Sequence, residues 1–394
     1  MSRGWEPGQS RQYDRRMKPR ILVLGAGFGG LELATTVSEE LGDEVEITLI
    51  DKSDAFVFGY SKLDYLFGRT TPDAVRIAYR HLAKPGVRLL RETVLAIDPA
   101  AKAVTTDAGV HEADHLVVAL GADYDFDATP GLCDSTEFYS EEGAGRLAQL
   151  LPGFTSGRAV VGVCGAPYKC PPAPSEAALL LHDYLDRKGV RADCEISIVV
   201  PFATPIPPSP STSDALLEAY AERGIEFVPG RPVASVDVAR NVAVLADGTE
   251  MPYDLFLGVP KHRAPDVVIE SGMAVDGYIP VDGPTLETPF PDVYAVGDVA
   301  TVGTPKAGVF SERQARVVAR TLIDRVRGRE PAERYDGRGA CYIEFGSDLV
   351  ARIDVDMFSA AGPSGTFREP STAFVAEKEQ FGATRRARWF GLGT

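Results

Sequence analysis

The segment RILVLGAGFGG, residues 20–30, constrains this chain more than any other stretch. An apolar run reads as a buried strand, glycines at Gly25, Gly27 and Gly30 break it, and Leu31, Ala34, Val37 and Leu41 then recur at helical spacing. EVEITLID, residues 44–51, follows as a second strand ending in an acid. Strand, glycine turn, helix and acid-tipped strand in this order form a unit that grips a dinucleotide. Gly25 permits the turn, Gly27 lets a pyrophosphate approach the backbone, and Gly30 lets helix and strand close up. Asp51 is placed to accept from ribose hydroxyls. Ala26, Phe28 and Gly29 complete the loop and Lys52 follows the acid, so these too are cofactor-binding candidates. The glycines alone would be weak evidence; their context makes them strong.

A second feature doubles the first. VRLLRETVLAIDPAAKAVTTDAGVHEADHLVVALGA (residues 87–122) is repeated in order by IEFVPGRPVASVDVARNVAVLADGTEMPYDLFLGVP (residues 225–260): a short strand, turn-linked strands, an acid, then an apolar strand. A duplicated unit of this size predicts an α/β fold of two tandem Rossmann-like dinucleotide-binding modules. The first is discontinuous, because TPFPDVYAVGDVA (residues 288–300) and a long helix faced by Ala315, Ala319, Leu322 and Val326 follow the second. The boundaries expected are a disordered leader at 1–17, the first module at 18–125 and 271–329, the degenerate second module at 126–270, and a small α+β interface region at 330–394. Where the second module should carry its phosphate loop stands CGAPYKCPPAP, residues 164–174. Its next strand, CEISIVV (residues 194–200), ends at Pro201 with neither an acid for a ribose nor a base for a 2′-phosphate, so NAD(P)H has little to hold it. Four prolines instead suit the rigid holding of one thiol.

Composition excludes other classes. A net charge of −15 leaves no basic face for nucleic acid. No apolar run reaches the ~20 residues of a membrane span, and the leader lacks a secretory apolar core, which points to the cytoplasm. Five cysteines in a reducing compartment make any disulfide a working one rather than a staple.

With these residues in view, the chain resembles the two-dinucleotide-fold flavoproteins of the pyridine nucleotide-disulfide oxidoreductase superfamily over residues 20–390. The resemblance implies FAD in the first module, with Val94, Ala119 and Gly121 beside it, Gly297 and Asp298 near its ribityl phosphate, and Lys306 and Ala307 opening a helix aimed at the flavin. Within that superfamily, CPPAPSEA (residues 170–177) is similar to the cysteine loop of flavocytochrome c sulfide dehydrogenases and sulfide:quinone oxidoreductases, and ACYIEFG (residues 340–346) to their second cysteine segment. By resemblance Cys170 and Cys341 are the redox pair, Lys306 assists catalysis, sulfide or a persulfide is the substrate and a quinone the acceptor, with no metal. The FAD is non-covalent, since DAFVFGYSKLDYLFG (residues 54–68) has no cysteine to tether it.

The residues themselves leave other readings open. Cys164 and Cys194 read as small apolar core residues, Cys133 is undecided, and a Cys164–Cys170 pairing would leave Cys341 idle. Lys169 adjoins Cys170 and would help it ionise. Glu176 is either a proton relay or a helix-dipole complement, and His262 in VPKHRAPDVV reads as a surface histidine in a turn. RRARWF, residues 385–390, is either a frayed basic tail or a peripheral contact with the inner membrane face, arginines on headgroups and Trp389 and Phe390 in the interface. A homodimer is a further expectation.

Overall fold

The computed structural model describes residues 18–393, so the leader lies outside the described residues. The first module is built on a five-stranded parallel sheet in the order Val293–Ala295, His115–Val118, Arg20–Leu24, Glu46–Asp51, Val87–Arg91. Its central strands are buried on both faces, which is why they read as unbroken apolar runs rather than alternating ones. The second module repeats the pattern with four parallel strands: Leu255–Val259, Gly157–Val163, Cys194–Val199, Ile225–Val228. The difference is Val293–Ala295, which returns from beyond the second module to extend the first sheet.

The repeated sequence folds twice into a three-stranded antiparallel sheet. One copy comprises Val94–Asp98, Ala103–Thr106 and Val110–Glu112; the other comprises Val233–Asp237, Val242–Leu245 and Glu250–Pro252. Both shift register at the same place, between Val94 and Ala96 and between Val233 and Ser235. The long helix Gly308–Val326 buries Ala315, Val318, Ala319 and Leu322 completely and packs against the fingerprint helix Phe28–Leu41.

The C-terminal region departs from expectation. After the strands Arg338–Gly346 and Leu349–Asp356 comes a third, Ser364–Ser371, and then a helix of 19 residues, Thr372–Phe390. Ser371 Oγ accepts the Ala373 N–H at 3.1 Å to start that helix, and Gly391 at φ +67° ends it. The sequence hid it because only Gly382, Trp389 and Phe390 are buried, which leaves no apolar stripe to read. Trp389 and Phe390 are 0% and 4% exposed, so RRARWF is neither a frayed tail nor an aromatic anchor in a membrane interface. Among the described residues no helix is long and apolar enough to cross a membrane.

Candidate active site

A cavity of about 680 Å³ runs from the glycine turn of the first module to the cysteine loop of the second. At the first end the turn is shaped by steric necessity. A Cβ on Gly25, whose φ is +96°, would lie 2.4 Å from Ala119 O, and one on Gly30 would lie 1.9 Å from Gly25 O. A Cβ on Gly27 would meet nothing within 4 Å, since its α-carbon faces the open cavity. Asp51 holds this turn from below: its Oδ2 accepts the Ala26 N–H at 2.7 Å and its Oδ1 the Ser53 N–H at 2.8 Å. Gly25, Gly27, Phe28, Gly29, Asp51 and Lys52 line the cavity, as do Val94, Ala119 and Gly121. Ala26 and Gly30 lie behind the wall, where they pack the turn.

Farther along, Gly297, Asp298 and Ala307 form the wall, together with the first turn of Gly308–Val326. Asp298 Oδ1 is buried with no hydrogen-bond partner among the described residues, and burial raises the carboxyl's pKa even though Lys169 and Lys306 pull against it. Lys306 is not on the wall. Its ammonium donates to Asp298 O at 2.6 Å and Ala300 O at 3.3 Å and lies 3.5 Å from the Tyr278 ring centroid, while burial lowers its pKa to about 8. What Lys306 gives the site is its carbonyl, which accepts the Cys170 N–H at 2.7 Å.

Cys170 and Cys341 lie on the same cavity, the first from the proline loop and the second from the strand Arg338–Gly346. Cys170 is held at φ +50°, a backbone conformation costly to a residue with a Cβ. Its neighbours fix it there: besides the Lys306 carbonyl, the Ala173 N–H donates to Cys170 O at 2.9 Å, and Tyr139 OH donates to Lys169 O at 2.9 Å. Burial, then Glu176, then Cys341 push the Cys170 thiol well above its usual range; burial and Glu176 push Cys341 up to about 12. Both cysteines are free in this structure, and their surroundings oppose ionisation of either thiol.

Lys169 does not play the part read from its position. It lines the cavity, but its ammonium turns to Ala122 O at 3.1 Å and Tyr124 OH at 3.3 Å. The cation that favours the Cys170 thiolate is Lys378, from the C-terminal helix, paired with Glu344. No local signal marks Lys378, because only the tertiary fold carries it to the site. Glu176 lines the same wall, accepts the Glu344 N–H at 3.1 Å, and has its pKa raised to about 7 chiefly by burial.

The remaining cysteines separate cleanly. Cys164 packs in a different core cluster from the one Cys170 touches, and burial raises its thiol to about 12. Its sulfur lies 3.7 Å from Gly162 O, which leaves the Cys164–Cys170 pairing without support. Cys194 is buried and Cys133 exposed. His262 is no surface turn residue: it sits 1% exposed on the strand Lys261–Arg263, paired with Tyr124 across the ladder, and burial lowers its pKa to about 3.

Residues 19–315 match the family described as pyridine nucleotide-disulphide oxidoreductase. The chain belongs to that family. Among similar proteins, the mitochondrial sulfide:quinone oxidoreductase of Mus musculus is 26% identical over 365 residues, covering 88% of this chain and 80% of that one. The sulfide-quinone reductase of Aquifex aeolicus is 25% identical over 361 residues, covering 84% and 82%. The crystal structure of the Aquifex aeolicus sulfide:quinone oxidoreductase superposes with a TM-score of 0.84 at 21% identity, covering 94% of this chain and 91% of that one, so the fold is shared.

The pyridine nucleotide-disulphide oxidoreductases of this kind are FAD-binding flavoproteins, and the cavity fits that cofactor. The turn at Gly27 leaves room for a pyrophosphate against a helix N-terminus, and the unpartnered Asp298 Oδ1 awaits a hydroxyl donor.

Proposed function

We propose that the chain is a FAD-dependent sulfide:quinone oxidoreductase, with FAD in the first module and Cys170 and Cys341 as its redox pair. The observation that carries this reading is the single cavity that joins a dinucleotide cradle to two thiols from distant segments, beside a second module whose phosphate corner is filled by a cysteine and prolines. Phe28, Tyr60 and Phe381 line the same cavity, with 6.4 Å between the Phe28 and Phe381 ring centroids. A flat aromatic acceptor suits such a wall. The relatives in Mus musculus and Aquifex aeolicus that carry this name align over most of their length, which supports the same assignment.

The residues about Gly27 and Asp298 would hold FAD, which would supply a two-electron acceptor that a quinone can reoxidise. The chain's own residues do the rest. With Cys170 and Cys341 joined as a disulfide, HS⁻ attacks one sulfur; the S–S bond breaks to leave a persulfide on that cysteine and a thiolate on the other. Lys378 offsets the new charge, and Glu176, poised near neutrality, takes the persulfide proton. Loss of two electrons from the thiolate and persulfide pair closes a bridge with the sulfur inserted; each further HS⁻ that opens the bridge lengthens it by one sulfur once another two electrons have passed to the acceptor. The loop around Cys170 keeps the attacking geometry fixed.

A lipophilic acceptor implies work at the inner face of the membrane, with contact through the outer face of the C-terminal helix rather than through Trp389 and Phe390. A homodimer is not required, because every group invoked comes from one chain.

Anaerobic mixing of the yellow protein with sulfide tests the proposal. Bleaching of the flavin band near ~450 nm, lost in both Cys170→Ser and Cys341→Ser and reversed by quinone, is the outcome expected. Bleaching by NADH instead would make the chain an NADH:quinone oxidoreductase, and bleaching by sulfide that quinone does not reverse would make it a persulfide sensor.

A further inference from the structure

The segment RRARWF, left without a role by the chemistry above, is the best-anchored part of the C-terminal helix. Its target is Glu32, on the fingerprint helix, 0% exposed. Trp389 Nε1 donates to Glu32 Oε2 at 2.8 Å, Arg388 donates to Oε1 at 3.1 Å, and Arg316 Nε donates to Oε1 at 2.8 Å. Burial alone would raise this carboxyl's pKa, but the hydrogen bonds from Arg388, Trp389 and Arg316 outweigh it and hold the group below its usual range. A second buried acid, Glu312 on the helix Gly308–Val326, takes Arg385 through both oxygens, at 2.9 and 3.1 Å. The last turn therefore closes on the two helices whose N-termini form the cofactor end of the cavity.

The first half of the helix is held differently, by ion pairs: Lys378 pairs with Glu344 and lies over the Tyr60 ring, and Arg352 pairs with Glu377 at 2.8 Å. From Thr372 to Phe381 no residue is buried, and the two side chains of this stretch that reach the cavity are Lys378 and Phe381. Trp389 lies edge-on to Phe28 at 5.5 Å, and Phe28 in turn faces Phe381. Clasp, aromatic wall and fingerprint helix are thus one packed unit.

We propose that residues 385–390 are a clasp that seats the C-terminal helix, and that Glu32 is a positioning residue for the acceptor end of the cavity: closing Arg388 and Trp389 onto it sets Phe381 against Phe28, while Lys378 is fixed separately by Glu344. The clasp follows from the contacts alone, while the acceptor's identity rests on the function proposed above. Glu32 touches neither thiol, so it governs how the acceptor is held and not how sulfide delivers electrons.

The test uses the holoenzyme and three variants, Glu32→Gln, Arg388→Gln and Trp389→Phe, the last keeping an aromatic ring while removing one N–H. Amide hydrogen exchange across residues 372–390 is expected to rise roughly tenfold with the rest of the chain unchanged. With ubiquinone-1 as acceptor, the KM for quinone is expected to rise about tenfold while kcat and the rate of anaerobic flavin bleaching by sulfide stay within about twofold. Unchanged exchange in Trp389→Phe and Arg388→Gln overturns the clasp, and a uniform fall in kcat with KM constant overturns the positioning role. Should Glu32→Gln fail to fold, the other two variants decide. Should the wild type prove inert to sulfide, the function fails, but local exchange still judges the clasp, and the KM comparison moves to whichever reductant bleaches the flavin.

Discussion

The two modules share strand order and a repeated antiparallel sheet, yet their phosphate corners are opposites. The first is made of absence: Gly25 and Gly30 exist because side chains there would strike backbone carbonyls. The second is made of presence, with a cysteine forced to φ +50° and prolines on both sides of it. Helix and strand still close up in the second module, through Ala177 and Ala178, both fully buried. One scaffold thus supports two kinds of site, because the corner where the strand meets the helix is decided locally and the sheet beneath is indifferent to it.

The sharpest way to break the comparison is to add a methyl group at the first corner and to remove one at the second. Gly30→Ala drives a Cβ to within 1.9 Å of a backbone oxygen that cannot yield. A loss of about 4 kcal/mol or more is expected, with the protein purified free of flavin or insoluble. Ala177→Gly at the other corner removes one methyl group from the interior and adds helix entropy, about 1–2 kcal/mol. Thermal unfolding with flavin content measures both; equal losses would mean the corners are not built differently.

The acids of the two corners differ as well. Asp51 accepts two backbone N–H groups, whereas Glu176 accepts one and is deeply buried, which raises its pKa from an ordinary 4.5 to about 7. The folded protein therefore holds this proton more tightly than the unfolded chain does. The resulting stabilisation is complete below pH 4.5 and is lost as the pH climbs to 7, an effect on the order of 3 kcal/mol. Urea unfolding at pH 4.5 and 7.5 is expected to show that decline in the wild type and a flatter profile in Glu176→Gln. A slope identical in both proteins would place the effect elsewhere.

What could be read from the sequence follows the same division. The first corner, the repeat and the long Gly308–Val326 helix were legible because glycine sterics and apolar periodicity are local. Cys170 was legible from its prolines, although nothing in them announces the left-handed backbone. Lys378 and Glu32 were invisible: each acts across the fold, one on a helix without an apolar stripe and the other within a helix that reads as ordinary. Lys306 and Lys169 were misread in a related way, since sequence gives a lysine's place on the chain but not which carbonyls its long side chain will find. His262 was taken for a turn residue because its strand partner, Tyr124, lies far earlier in the chain.

The smallest effect probes the strain itself. At an ordinary buried position, glycine in place of alanine destabilises, because it frees the unfolded chain. At φ +50° the order reverses, since alanine keeps a Cβ that crowds the carbonyl while glycine has none. Cys170→Gly is therefore expected to be more stable than Cys170→Ala by about 1 kcal/mol, with both inert to sulfide. Denaturant unfolding of the two variants side by side cancels the lost sulfur, which is common to both. If alanine proves the more stable, the loop relaxes once the thiol is gone, and the strain at Cys170 is imposed by the sulfur's own contacts. If glycine does, the Lys306 carbonyl, the Ala173 N–H and Tyr139 hold the backbone left-handed whatever side chain it bears, and the second corner is as rigidly prescribed as the first.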